Sequence, residues 1–353
     1  MKRLGLILIL LPLFSLFNLL TPGIMDAHDA PDHVARIANF FQSLSEGIIV
    51  PRWAGNLNWG YGHPILMFLY PLPSYVASLF HALGLSLVDS VKLVFAVSYV
   101  ASIIAFFLWA RLQWNPAAGF VGAILYGFAP YRFVDLYVRG ALGEHVAFVF
   151  PPIIFMGLLG LAKGKRLWPG IILAAGLAGL LLSHNAVSLM ILPLALLYGW
   201  YLYIFEAKKR SEFIVRAIFY TASGFVVSAF FWIPAFFEGK YTLRDIVTKG
   251  EFASRFVPFS QFFYSPWNFG IFTKEVGIAQ LMAVVAGFVV AVRSQVLKNR
   301  FFLLGAGICL VGSLLVMTQW SKPLWETVTI LQKFQIPWRF LTVSVFISAI
   351  MGS

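Results

Sequence analysis

The chain has 353 residues, of which 60% are hydrophobic and only 11% charged, with 36 Phe and a mean hydropathy of +0.84. A surface of that make-up cannot be kept in water, which excludes a soluble protein of two or three domains. The net charge of +12 is carried by short basic clusters between apolar runs, a pattern that sets membrane topology and argues against nucleic acid as a partner.

Apolar segments of roughly 17 to 25 residues recur along the chain, enough to cross a ~30 Å hydrocarbon core at ~1.5 Å per residue. They are continuous rather than alternating, so the expected fold is all-α. The single Cys309 lies within such a run, leaving no intrachain disulfide and no cysteine metal cluster.

Lys2 and Arg3 precede the apolar residues 4–20. No small-x-small site follows, because Thr21, Pro22 and Gly23 come next, so this stretch is expected as an uncleaved first helix with a cytoplasmic N-terminus. Residue 21 then emerges on the outer side, opening a large loop over 21–90.

That loop packs Asp26, His28, Asp29, Asp32, His33 and Arg36 into eleven residues. Pro31 suits a first helical turn, and Val34, Ile37, Phe41 and Leu44 follow at helical spacing until Gly47. Asp29 and Asp32 fall at the amino end of this helix, where free N–H groups and the dipole favour carboxylates. Capping explains one Asp; three Asp with two His could instead hold Mg²⁺ or Mn²⁺ or supply a general base. Trp53, Trp59, Tyr61, Tyr70 and Tyr75 mark headgroup depth or stack on sugar rings.

The run 64–83 contains Pro64, Pro71 and Pro73 and is expected to lie in the interface without crossing. Spans are expected over 91–110, 117–130, 146–162, 168–182, 186–205, 213–236, 276–292, 301–318 and 340–353. The last stops in mid-helix, as in the front part of a longer protein. Basic clusters at Arg111; Lys163, Lys165 and Arg166; Lys208, Lys209 and Arg210; and Arg293, Lys298 and Arg300 mark the cytoplasmic side. Of the 14 acidic residues only Glu206 and Glu212 then fall inside, so chemistry is expected on the outer face. The spans themselves read as nearly charge-free.

Three further polar groups interrupt the apolar pattern on the outer side. In PYRFVDLYVRGALGEH, 130–145, Arg132 and Arg139 could bind an anion with Asp135 as neutralising partner and Glu144 near the next helix mouth; the alternative is an interfacial belt of Tyr131, Tyr137 and the arginines. Ser183, His184 and Asn185 suit interhelical bonding or ligand contact. Glu238 follows an aromatic run, and Arg339 in QIPWRF could hold a phosphate in bidentate fashion; both could also be interfacial anchors.

The order of these features resembles the GT-C superfamily of membrane glycosyltransferases: a first helix, an acidic outer loop, an amphipathic helix, a Pro-rich interfacial helix, then the remaining spans. More narrowly, DAPDHVARI, PRWAGNLNWGYGHPILMFLYPLPSY, APYRFVDLYVRGALGEH, SHN and LQKFQIPWRFL look like a bacterial and archaeal membrane family labelled "6-pyruvoyl-tetrahydropterin synthase-related". The resemblance covers essentially the whole chain. It implies a single transmembrane domain over 1–353, a bundle of about ten helices in the cytoplasmic membrane. The implied activity is transfer of a sugar from a polyprenyl-phosphate-linked donor to an acceptor glycan, lipid or protein on the outer face, often with a divalent metal.

By position, the resemblance matches Asp29 to the loop acid, with His33 following it, and Glu144 to the later outer acid, which are the expected catalytic residues; from the cluster itself a metal is expected on Asp29, Asp26 and Asp32. Arg36 follows the loop acid in the same pattern; Arg139, His184, Asn185, Glu238 and Arg339 complete the expected substrate contacts. Asp26 and Asp32 crowd the loop acid, leaving open which carboxylate is the base. Pterin chemistry would need a three-histidine zinc site, and the six His are scattered over membrane loops. Two other classes stand beside the enzyme: a transporter or flippase for a lipid-linked or anionic solute, and a scaffold without chemistry.

Overall fold

The computed structural model describes residues 2–165, 167–242, 250–266 and 272–353. Arg166 of the second basic cluster, and 243–249 and 267–271 of the long loop after Glu238, lie outside the described residues. Among the described residues every element is helical; the nearest approach to a strand is one isolated bridge between Ala54 and His63.

The principal helices are α1 (Lys2–Ser15), α2 (Ala30–Ser45), α3 (Ile65–Phe68), α4 (Leu72–Ala82), α5 (Leu87–Gln113) and α6 (Pro116–Gly127). A short α7 (Pro130–Phe133) runs into a π-turn over Val134–Arg139, followed by α8 (Leu142–Ala147) and α9 (Phe150–Ala162). Then come α10 (Leu167–Leu181), α11 (Asn185–Phe205), α12 (Arg210–Val227), α13 (Ala229–Glu238), α14 (Ile278–Arg293), α15 (Leu297–Leu315) and, after short turns, α16 (Leu341–Met351).

Among the described residues, four segments are long and apolar enough to cross a membrane: Leu87–Gln113, Leu142–Ala162, Asn185–Phe205 and Leu297–Leu315. Two bent pairs raise this to six, Pro116–Gly127 with Pro130–Arg139 at 50° and Arg210–Val227 with Ala229–Tyr241 at 69°. An all-helical chain with several such segments is compatible with a membrane-embedded protein. Within the runs 117–130 and 213–236, expected as single spans, the helices bend after Gly127 and Val227. The run 64–83, expected to lie in the interface, divides into α3 and α4 at Pro71, and the 11 residues of α4 extend only about 16 Å.

Local sequence accounts for the helix starts. Ser86 accepts the Asp89 N–H at 3.0 Å to begin α5, and Asn115 accepts the N–H groups of Ala117 and Ala118 at 2.9 and 3.0 Å ahead of Pro116 in α6. Close packing follows from small residues. A Cβ on Gly157 of α9 would lie 2.7 Å from the Leu173 backbone of α10, so these helices meet backbone to backbone. At the centre, α5 carries Phe106 and Trp109, both wholly buried, and every residue of α16 is buried as well.

The two ends of this array differ. At one end Lys163 Nζ donates to the Leu112 carbonyl at 2.7 Å, the Lys208 N–H donates to the Ala162 carbonyl at 3.1 Å, and Lys298 pairs with Glu206 at 3.0 Å. Basic clusters distant in sequence are therefore brought together. The far end, across the roughly 40 Å of the 27-residue α5, gathers the first loop, the π-turn, the α10–α11 junction and the start of α16.

Candidate functional site

At that far end α7 does not continue as a regular helix. Its π-turn widens until the Ala141 N–H reaches the Asp135 carbonyl at 2.9 Å, and Gly140 ends it in the left-handed region with φ +60°. Such π segments recur where side chains must be re-aimed. Here the widening and the reversal at Gly140 direct Tyr131, Asp135, Arg139 and Glu144 at one point.

Glu144 is 0% exposed. Its Oε1 accepts from the Tyr131 hydroxyl and from Thr342 Oγ1, both at 2.7 Å. Its Oε2 accepts from Arg139 Nη1 at 2.7 Å and has Arg339 Nε at 3.4 Å. Arg139 also reaches Asp135 and, at 3.0 Å, the Tyr131 hydroxyl, and its guanidinium lies 4.9 Å from the Trp338 ring centre. Arg339 Nη1 donates to the Phe334 carbonyl at 2.9 Å.

This is a buried charge network rather than a belt of surface anchors. Desolvation makes such a network costly unless nearly every oxygen and N–H is matched. Arg132 belongs elsewhere: it donates to Ser102 Oγ at 2.8 Å and sits 4.0 Å from the Phe148 ring, inside the bundle. The outward anion pair of Arg132 and Arg139 is therefore not formed. The candidate segments Pro130–Arg139 and Leu142–Ala162 reach beyond the expected 117–130 and 146–162, and the residues so added include Arg132, Asp135 and Glu144, all wholly buried.

The first loop is seated on this network. The N–H groups of His28 and Asp29 donate to the carbonyls of Val138 and Arg139 at 3.0 and 2.9 Å. A Cβ on Gly140 would stand 3.0 Å from the Ala30 nitrogen, so only glycine admits the amino end of α2 there. Asp29 occupies the cap position of α2, yet its side chain makes no cap hydrogen bond and stays exposed. His33 is buried, and burial, helped by the Arg36 charge, lowers its pKa to about 3; the imidazole is neutral at pH 7.

The three Asp of the first loop stand apart in this structure. Asp32 is exposed and turned to Arg36 at 3.2 Å, Asp26 and Asp29 are exposed, and among the described residues no three His, Cys, Asp or Glu side chains could hold an ion together. The physical reason is the start of α2, where Asp32 finds its partner one turn on, in Arg36.

Tyr70 closes the arrangement from the other side. The Leu72 N–H donates to the Leu182 carbonyl at 2.9 Å, bringing the Tyr70 ring 4.9 Å from the His184 ring. A Cβ on Gly143 would fall 1.8 Å from that ring, so the phenol occupies the space a side chain would take. Burial pushes its pKa up to about 12, and the charges of Arg339, Glu144, Arg36 and Asp29 all act on it, the two arginines opposing the rise. Loop acid and buried network thus meet around one protonated phenol.

Of the remaining expected residues, His184 caps α11 by accepting the Val187 N–H on Nδ1 at 3.2 Å and lies within electrostatic reach of Glu144. Asn185 is half-buried beside it. Glu238 stands exposed at the end of α13, with no recorded contact to the network. Sequence reasoning missed Thr342 and Gly143. Thr342 sits in an apolar run with nothing local to mark it, whereas a Gly directly before a lone Glu was a readable sign of close packing.

No family model matches the chain. It is similar to an uncharacterized protein of Lactococcus lactis subsp. cremoris (strain MG1363), 24% identical over 237 residues. That match covers 65% of this chain and 38% of the Lactococcus protein, so the chain spans well under two thirds of that relative's length.

Proposed function

We propose that this chain is a membrane glycosyltransferase of GT-C type that moves a sugar from a polyprenyl-phosphate-linked donor to an acceptor on the outer face of the cytoplasmic membrane. About ten helices cross, the N-terminus is cytoplasmic, and the polar end faces outward. One observation carries the reading: the exposed carboxylate of Asp29 is seated by its own N–H on the carbonyl of Arg139 at 2.9 Å, and the guanidiniums of Arg139 and Arg339 meet at Glu144 just beneath it. A base beside an anion-binding group at the mouth of a helical bundle suits a lipid phosphate whose tail remains in the bilayer.

In this reading Asp29 takes the proton of the acceptor hydroxyl, and the oxygen attacks the anomeric carbon with inversion. The bond from that carbon to the phosphate oxygen breaks, and polyprenyl phosphate leaves with the electron pair. Arg339 and Arg36 meet the charge that develops on it. Both Glu144 oxygens are occupied and shielded, so its role is to orient Arg139 and Arg339 rather than to touch the acceptor. Asp26, Asp29 and Asp32 as arranged do not fit a shared ion, and no step is routed through one. The test is to incubate purified protein with a panel of polyprenyl-phosphate sugars and follow sugar release.

A transporter or flippase is the second reading. The observation that favours it is the pair of broken helices, one of which ends in the π-turn beside buried charge, as in carriers that bind solute near the membrane midplane. Movement of lipid-linked sugar across proteoliposomes without its hydrolysis or transfer would favour that reading over the enzyme.

A further inference from the structure

At the end of the molecule opposite the Glu144 network, a cavity of about 210 Å³ opens between the α9–α10 turn and the start of α12. It is lined by Lys163, Lys208, Lys209 and Arg216, with Glu212 as the one acid among them. Glu212 pairs with Lys209 at 3.0 Å and Arg216 at 2.7 Å, while Lys163 donates to the neutral carbonyl of Leu112. Lys208 is exposed and enters no ion pair among the described residues. The 18-residue α12 also starts here with no side chain capping its first N–H groups, which adds positive partial charge. Among the described residues, four cations therefore face the Glu212 carboxylate, which Lys209 and Arg216 already engage.

The wall beside the cavity is apolar. Val215 and Phe219 share the α12 face of Glu212 and Arg216 by their three- and four-residue spacing, and they are 67% and 63% exposed. The apolar side chains of Leu161 and Phe213 complete the lining of the cavity itself. The cavity is smaller than the roughly 300–1,000 Å³ of a pocket for a whole drug-sized ligand, but it has room for a phosphate and its ester group. A free anion would use the charges and ignore the wall; a lipid uses both.

We infer that this cavity binds the phosphate headgroup of an anionic membrane lipid, whose acyl chains run along Val215 and Phe219. Basic pockets between helix ends are suited to such headgroups. The site is independent of the proposed sugar transfer.

The test compares retention of phosphatidylglycerol and phosphatidylcholine by the purified protein in detergent, read by native mass spectrometry. Wild type should retain phosphatidylglycerol preferentially. Lys208→Glu should lower that retention on the order of tenfold while Lys208→Arg preserves it. Phe219→Asp should lower it as well, a change a free-anion site would not register, and this variant decides the matter should Lys208→Glu fail to fold. Excess glycerol phosphate should not displace the lipid. Equal retention of the two lipids, wild-type retention in both the Glu and Asp variants, or displacement by glycerol phosphate would each overturn the proposal.

Discussion

At one end of the bundle Glu144, shielded from solvent, is held by Tyr131, Thr342, Arg139 and Arg339; at the other, Glu206 meets a single lysine, Lys298, whose side chain is 46% exposed. Both are carboxylates paired with cations across the fold. They differ in what replaces the pair when it is broken, water at Glu206 and nothing at Glu144. A buried charge is tolerable only when its whole surroundings are specified, whereas the partly exposed pair of Lys298 and Glu206, 46% and 17% exposed, retains some contact with solvent.

Breaking each pair separates the two regimes. Glu144→Gln leaves Arg139 and Arg339 without their main counter-charge and should cost about 3–5 kcal/mol, read as a large fall in the thermal unfolding midpoint in detergent. Next in size is Gly143→Ala, whose methyl group must displace the Tyr70 ring; overpacking of this kind costs about 1–3 kcal/mol. The same assay should register it, together with loss of the fluorescence environment of the site.

His33 sharpens the comparison through pH. Its folded pKa of about 3 lies below the ordinary value of about 6.5, so between those limits the unfolded chain binds the extra proton. Stability is therefore fully present above pH 6.5 and declines as pH falls toward 3. At pH 5 the loss from this residue should be about 2 kcal/mol, and His33→Gln should flatten the acid side of the stability profile. A slope unchanged in that variant would remove His33 as its cause. The smallest effect belongs to Glu206→Gln, at most about 1 kcal/mol and fading with salt; a loss equal to that of Glu144→Gln would erase the distinction between the ends.

The basic end was the more legible in the sequence. Arg111, Lys163, Lys208 and Lys298 each follow or precede an apolar run, and that alternation needs no tertiary information to place them on one side. The acidic start of α2 was equally visible, with Pro31 and the spacing of the apolar residues after it. The Glu144 network was not. Its residues read locally as an interfacial stretch because seven ionisable or phenolic side chains in the sixteen residues 130–145 look solvated unless partners are known. Thr342 lies 198 residues away in a run that reads as plain helix, and Arg339, just ahead of that run, reads as a phosphate partner with nothing local to pair it with Glu144. The breaks after Gly127 and Val227 were hidden for a similar reason: Phe128, Ala129 and Ser228 interrupt no hydropathy pattern, and the bends depend on what each half packs against.

The most direct measurement is release of sugar from a polyprenyl-phosphate-linked donor by wild type and by Asp29→Asn, with the folded state of both checked by far-UV circular dichroism. The proposed role of Asp29 as base predicts turnover by wild type and a loss of about 10²- to 10⁴-fold in the variant, with its fold intact. Full turnover by Asp29→Asn would contradict that role, and absence of release from any donor by folded wild type would contradict sugar transfer itself.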